Sequence, residues 1–578
     1  MKKVGKAVLW MVAIFAALEI LGMILTYSSR RIRPRTVLTL EVNGDLPEQP
    51  PQDPFAHLAG GGPTTTVTDV IEALDRARTD VRITGLRVDV GFSTMRMAKL
   101  QEIREKVREF NRSGKFSVGY LEFASNGSYY LASACQTVMI LPKSELHVHG
   151  LMASSTFFKG ALDKLGVAPD LYHIGEYKNA TNVFTEKKFT RAHREATQAL
   201  LEDWYGELVR GVAEGRRMKP EDVESAIRKG PFSSQEALAA GLVDRVGYED
   251  EARDFVKQKN HGSDNHLSAR EYARRTEPSA RTKLAVIYAT GTIVPGRSGD
   301  DPLGGAAMGS ETVAEQFRNA REDAAVKAVV LRVDSPGGSA FSSEVIRREV
   351  EITRREKPVV VSMSDVAASG GYWIAMSASK IVAQPGTITG SIGVLTGKFN
   401  LTGLYSKLGL TNDYVATSDN ATLDYPFQNF TPAQRESVER SMRDIYRNFL
   451  QGVADGRHMP VAAVDKIAQG RVWSGERARQ LGLVDELGGL DQAIDAAREL
   501  AKIPKDQSVS LELLPPPKSL FDRILELMGN AEVTSVSWNA SPRSWLAGPW
   551  LARPWFERLE ALAREPAWAI LPSVPEVW

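Results

Sequence analysis

Ser369 lies in Ala367-Ala368-Ser369-Gly370-Gly371-Tyr372-Trp373, where the apolar run PVVVSM (358–363) gives way to a helical stretch. A serine at a strand-to-helix turn can present its hydroxyl outward, with the next backbone N–H, that of Gly370, aimed at a developing oxyanion. A second donor is available in Asp334-Ser335-Pro336-Gly337-Gly338-Ser339, which follows another buried strand. Its paired glycines permit a turn with bare N–H groups facing outward, so Gly338 completes the candidate pair. Taken alone, Ala-Ser-Gly-Gly carries little information, because serine is a favoured helix N-cap and small residues are common at helix starts. A serine that attacks a carbonyl also needs a base. None of the 8 histidines recurs in a triad-like setting, which leaves lysine, and the candidate is Lys178 in GEYKNATNVF. In that role Lys178 must be neutral near pH 7, its pKa brought down from about 10.4 at a cost of ~4 kcal/mol, which burial in an apolar site supplies.

The elements that must position these residues are written twice. VLTLEVNGDL (37–46) recurs as LAVIYATGTI (284–293), SNGSYYLASACQTVMILP (125–142) as ASGGYWIAMSASKIVAQP (368–385), and FSSQEALAAGLVDRVG (232–247) as WSGERARQLGLVDELG (473–488). The offsets stay between 241 and 247 over more than two hundred residues, which makes a tandem duplication the reading. Each copy alternates apolar β-branched runs with stretches whose apolar residues recur every three or four positions, which predicts a mainly parallel sheet covered by helices in each half. The copies differ in chemistry at two places. The first has Asn126 where Ser369 stands; the second has Asn420-Ala421 in the neighbourhood that answers to Lys178, and no lysine near it. One complementary pair accounts for both differences.

Composition bounds the rest. The 578 residues carry 72 Lys and Arg against 71 Asp and Glu, a formal charge of +1, which removes the main argument for a nucleic-acid partner. A lone Cys135 excludes an intrachain disulfide and every multi-cysteine metal site, and its alignment with small residues of the other copy predicts a packed thiol. His147 and His149 in LHVHG alternate as on one strand face, but no acidic or third histidine partner recurs nearby, so no metal site is read there. No cofactor is called for. Residues 7–27, AVLWMVAIFAALEILGMILTY, are 21 residues with one charge, Glu19, long enough to cross about 30 Å of hydrocarbon as a helix. Lys2, Lys3 and Lys6 before the span and Arg30, Arg31, Arg33 and Arg35 after it leave the orientation open. The expected organisation is an anchor over 1–35, a lysine-bearing domain over 36–248, a polar linker over 249–281, a serine-bearing domain over 282–505, and a Trp/Pro-rich tail over 506–578. That tail mixes amphipathic and Trp-Pro segments, equally suited to a membrane surface or a partner subunit.

The anchor, the two tandem copies, Y-K-N-A in the first, and D-S-P-G-G-S, A-S-G-G-Y-W and T-G-S-I-G in the second together resemble the long, duplicated form of the bacterial signal peptide peptidase A family, membrane-bound Ser/Lys peptidases of family S49. The resemblance implies a Clp-protease/crotonase-like fold in each half and Ser369 as nucleophile with Lys178 as general base. It implies Gly338 and Gly370 as oxyanion donors, and Ser391, in T-G-S-I-G, as the serine that hydrogen-bonds the base. It further implies a homotetramer at the bacterial inner membrane, single-pass, with the catalytic body on the periplasmic side, acting on remnant signal peptides and other short or unfolded hydrophobic peptides. Two other readings are kept beside it: a crotonase-like acyl-CoA enzyme, which would use a carboxylate base, and a membrane scaffold that holds peptides without cutting them.

Overall fold

The computed structural model describes residues 31–50, 64–300 and 306–516, together with the backbone of two short strands, Trp568–Ile570 and Glu576–Val577. The apolar span at 7–27 and most of the tail lie outside the described residues. Among those described, no helix is long and apolar enough to cross a membrane.

The first copy builds a six-stranded parallel sheet in the order His266–Ser268, Thr36–Gly44, Ile83–Ser93, Phe116–Leu121, Thr137–Ile140, Arg245–Val246. The second repeats it with Ser510–Leu514, Lys283–Thr290, Val326–Ser335, Val359–Ala368 and Lys380–Ala383, and ends on Glu486–Leu487. Ile388–Gly390 also pairs with the last residues of Val359–Ala368 and carries Val472–Ser474 antiparallel beyond it. The copies match down to single bonds. Tyr129 donates to the Leu242 carbonyl at 2.6 Å and Tyr372 to the Leu483 carbonyl at 2.9 Å. Arg216 pairs with Asp244, and Arg457 with Asp485.

Alternation along a strand sends successive side chains to opposite faces, and in the second sheet both faces are covered. Ala285, Ile287, Val329, Leu331, Val361 and Met363 pack under the second copy's own helices. Leu284, Val286, Ala328, Val330 and Val360 join the core of the first copy, against helices Val67–Ala77 and Met97–Arg112. This is why VVV and AVVL runs are apolar at every position. At this seam Arg332, fully buried, donates to Glu48 at 2.8 and 3.1 Å, to Glu102 at 2.7 Å and to Ser362 at 2.8 Å. Both carboxylates come from the first copy and the guanidinium from the second, so the two halves share one buried charge network.

The expected linker at 249–281 is corrected. Helix Glu249–Lys259 packs on the first sheet through Ala252 and Val256, strand His266–Ser268 pairs parallel with Thr36–Gly44, and helix Ala269–Arg275 packs Tyr272 and Ala273 into the first core. The segment is polar because these edge elements bury only a narrow stripe and solvate the rest. The second unit likewise runs past 505, since Ser510–Leu514 completes its sheet as His266–Ser268 completes the first. Cys135 is buried against the sheet, where desolvation pushes its thiol up to about 12.

Candidate active site

Strand Val359–Ala368 is buried along its whole length and delivers Ser369 to the start of helix Gly370–Ala375. Ser369 has φ 56° and ψ −114°, a conformation that a residue with a side chain adopts only at a cost of about 1–3 kcal/mol. Its backbone holds it there: Ser369 N–H donates to the Gly390 carbonyl at 2.8 Å, and the Trp373 N–H donates to the Ser369 carbonyl at 2.8 Å. A sharp, strained strand-to-helix turn lifts the hydroxyl out of the strand line.

Lys178 reaches it from the other copy. Strand Ala168–Ile174 of the first copy pairs antiparallel with Val394–Asn400 of the second over seven residue pairs, from Val394 opposite Ile174 to Asn400 opposite Ala168. The chain then turns at Gly175, φ 108°, where a Cβ would lie 2.4 Å from the Gln469 backbone, so only glycine passes there. Tyr177 N–H donates to the Gln469 carbonyl at 2.8 Å, and a Cβ on Gly470 would come within 2.5 Å of the Lys178 Cβ. The lysine is thus docked, backbone and side chain, on the second copy.

The Lys178 Nζ stands 2.7 Å from Ser369 Oγ, 3.1 Å from Ser391 Oγ and 3.0 Å from the Ser391 carbonyl oxygen. All three residues are fully buried. Ser391 has φ 51° and follows Gly390, φ 79°, and its N–H donates to the Arg471 carbonyl at 2.7 Å. Burial alone drives the Lys178 pKa well below its ordinary value; no carboxylate counters it. The two glycines converge as well. A Cβ on Gly370 would lie 3.1 Å from the Gly338 nitrogen, and one on Gly338, φ 155°, would lie 2.1 Å from the Ile293 carbonyl oxygen. Strand Trp568–Ile570 of the tail runs antiparallel beside Gly337–Ser339 and pairs Trp568 with Leu395.

The structure therefore brings together Lys178, Ser369 and Ser391, and sets Gly338 and Gly370 side by side. Sequence reasoning did not reach the strand pair that carries Lys178 across the seam, nor the Ser391 carbonyl as an acceptor; the signal for the former is no more than the short Val394-Leu395-Thr396 stretch. In the first copy Asn126 donates instead to the Gly150 carbonyl at 2.9 Å. In the second, the Asn-Ala-Thr turn at 420–422 matches that at 179–181 of the first, and the residue before it is the exposed Asp419 in place of Lys178. His147 and His149 do not join the site; His147 contacts Glu145 at 3.0 Å. Among the described residues no group of three or more His, Cys, Asp or Glu is arranged to hold a metal ion.

A duplicated α/β chain with a desolvated amine touching a serine, and glycine amides beside them, has the equipment of a hydrolase working by acyl transfer. Residues 109–262 and again 351–504 match peptidase family S49, and the chain belongs to that family and is a protease. It is 33% identical to the chloroplastic serine protease SPPA of Arabidopsis thaliana over 88% of this chain and 76% of that protein. It is 36% identical to Protease 4 of Salmonella typhi over 75% of this chain and 72% of that one. Among solved structures, a ClpP1 variant from Listeria monocytogenes aligns over 36% of this chain and 92% of its own, at 14% identity and a TM-score of 0.23.

Proposed function

We propose that the chain is a serine endopeptidase whose nucleophile is Ser369 and whose general base is Lys178. The observation that carries this reading is the 2.7 Å contact between a serine hydroxyl and a fully buried lysine amine without a counter-ion. A neutral amine has two hydrogens and one lone pair. Its N–H groups donate to Ser391 Oγ and to the Ser391 carbonyl, which leaves the lone pair to accept the Ser369 O–H.

Lys178 takes the Ser369 proton as Oγ bonds to the scissile carbonyl carbon. The carbonyl oxygen gains charge beside the Gly338 and Gly370 N–H groups. Collapse breaks the C–N bond, the Lys178 ammonium gives its proton to the departing amine, and the acyl group stays on Ser369 as an ester. Lys178 then takes a proton from water as the water attacks the ester, and returns it to Ser369 Oγ. None of these steps uses a metal or cofactor. A crotonase-like acyl-CoA enzyme would set a carboxylate at the base position, where this chain has an amine. A non-cutting scaffold would not need a strained serine against a desolvated lysine.

The substrate reading is short or unfolded hydrophobic peptides, remnant signal peptides among them, bound as an extended strand beside Gly337–Ser339. The tail strand at 568–570, which pairs with that segment and with Leu395, supports such a mode of entry. Anchoring by residues 7–27 in a bacterial inner membrane, with the body periplasmic, rests on that apolar span and on the family resemblance. Assembly as a homotetramer has support in the second copy, where exposed Tyr414 and Val415 lie in the stretch that answers to strand Ala168–Ile174 of the first and exposed Leu408 and Leu410 lie just before it.

The test uses full-length protein in detergent, a serine-reactive fluorophosphonate probe and a fluorogenic hydrophobic peptide, with Ser369→Ala and Lys178→Ala beside the parent. Loss of labelling and hydrolysis in both variants is expected. Hydrolysis at the parental rate in both would refute the dyad.

A further inference from the structure

The strand that carries Ser369 does not run in simple register with its neighbour. Val333 faces Met363, but the next pair is Ser335 with Ala367, so Ser364, Asp365 and Val366 form a bulge opposite Asp334, ending three residues before the nucleophile. Bulges beside active sites re-aim the residues that follow. Two carboxylates hold this one. Asp334 accepts the Val366 N–H at 3.1 Å, and Asp365 accepts the backbone N–H of Lys99 at 3.1 Å. Asp334 also lies at the root of the oxyanion turn, where the Ser335 hydroxyl donates to the Gly291 carbonyl at 2.7 Å and the Gly337 N–H donates to Ser335 Oγ at 3.2 Å.

Lys99 belongs to the first copy, on helix Met97–Arg112, and is buried. Its ammonium lies 3.5 Å from Asp334, 3.8 Å from Asp365 and 3.1 Å from Asp45. We propose that Lys99 is a positioning residue for the peptidase reaction: by bridging Asp334 and Asp365 it fixes the bulge that aims Ser369 and the turn that presents the Gly338 amide. The inference rests on Ser369 as the acylated residue. It gives the first copy a second duty besides delivering Lys178, since Glu48 of the same copy accepts from Ser364 inside the bulge.

The charged groups facing this pair are Lys99 and Arg96 from the helix start, Asp45 and Glu48 from the segment after the first strand, and Arg332 from the strand that carries Asp334. Burial, followed by the charge of Asp334, lifts the Asp365 carboxyl to about 7, and burial raises that of Asp334 against the pull of Lys99. The cluster borders a cleft of about 1180 Å³, which gives protons a route to it. Without the ammonium, two neighbouring carboxylates, Asp365 buried and Asp334 half-buried, resist ionising together, and raising the pH forces them apart.

The experiment measures fluorophosphonate labelling and ester hydrolysis from pH 6 to 9 for the parent, Lys99→Met, Lys99→Arg, Asp365→Asn and the double variant Lys99→Met/Asp365→Asn, with Ser369→Ala as control. Lys99→Met is expected to slow acylation by about 10- to 100-fold, with kcat affected more than KM. Its rate should fall as pH rises above 7, where the parental rate does not. Asp365→Asn in the Lys99→Met background should restore a rising profile, and Lys99→Arg should stay near the parent. A parental rate and profile in Lys99→Met would overturn the proposal, and so would a double variant no better than Lys99→Met. Should Lys99→Met fail to fold, the contrast between Lys99→Arg and Asp365→Asn decides: a shifted pH profile in Asp365→Asn is expected, and an unchanged one overturns the coupling. Labelling that survives Ser369→Ala would instead remove the nucleophile assignment itself.

Discussion

Lys178 Nζ and Ser369 Oγ lie 2.7 Å apart although 191 residues separate them along the chain. The contact joins the two halves of a duplication, and in the proposed mechanism each half holds a residue that is inert without the other.

Because burial lowers the Lys178 pKa, the amine must lose its proton before it can act as a base, so hydrolysis should rise with pH through that lowered value and then level off. Lys178→Ala should cost about 10³-fold or more in kcat. Lys178→Arg should not recover it, because a guanidinium stays protonated throughout the range. Initial rates from pH 5 to 10 check both points, and an Arg variant with parental activity would contradict them.

The same burial has a sign in stability. Between the folded pKa of Lys178 and its unfolded value near 10.4, the unfolded chain binds the extra proton, so stability contributed at this site increases with pH across that window. Lys178→Met removes this pH dependence. The variant should be more stable than the parent at pH 7, with the gap closing towards pH 10, as read from urea midpoints at each pH. Curves that stay parallel would mean that Lys178 is protonated in the folded chain.

Ser391 touches the amine through both its hydroxyl and its carbonyl, and Ser391→Ala removes only the former. A drop of about 10- to 100-fold in kcat is expected, short of the loss in Lys178→Ala, because the remaining carbonyl contact still partly orients the lone pair. KM should change little. A variant as slow as Lys178→Ala would mean that the serine does more than orient.

At Gly338 an added Cβ would meet the Ile293 carbonyl oxygen at 2.1 Å, so Gly338→Ala must displace the turn that carries the amide. Loss of one oxyanion donor costs about 10²- to 10³-fold in kcat. Circular dichroism and peptide binding near the parental values, together with slow acylation, would place the damage in the transition state.

Among the described residues, Arg332 is the only cation that bonds both Glu48 and Glu102 at the buried seam. Arg332→Leu leaves two carboxylates uncompensated and should destabilise the chain by about 3–5 kcal/mol. Adding Glu48→Gln and Glu102→Gln should recover most of that in denaturant melts. If the single variant melts with the parent, the network is not holding the halves together.

Much of this molecule is set by local sequence. The apolar runs, the helical periods and the repeated LVD and Tyr-containing segments fix two parallel-sheet units, because burial on both faces leaves few polar positions in a strand, each of them paired like Arg332 with Ser362. A strand-to-helix turn at Ser369 is legible in the apolar run followed by Ser-Gly-Gly, but its strain is not, because the positive φ falls on the serine itself. The stretch 249–281 reads as a linker in sequence because an edge helix with a thin buried stripe has the composition of one.

Other features depend on the approach of distant segments, which no local pattern records. The seven-pair ladder between Ala168–Ile174 and Val394–Asn400 brings Lys178 across the seam, and desolvation there, not residue type, lowers its pKa. The Lys99 cluster forms only where a helix of one copy meets the strand ends of the other. The sequence by itself determined which residues were available and that they were split between the copies. The packing of one copy's helices onto the other's sheet decided that they meet, because burial and distance belong to the folded chain and to no segment of it.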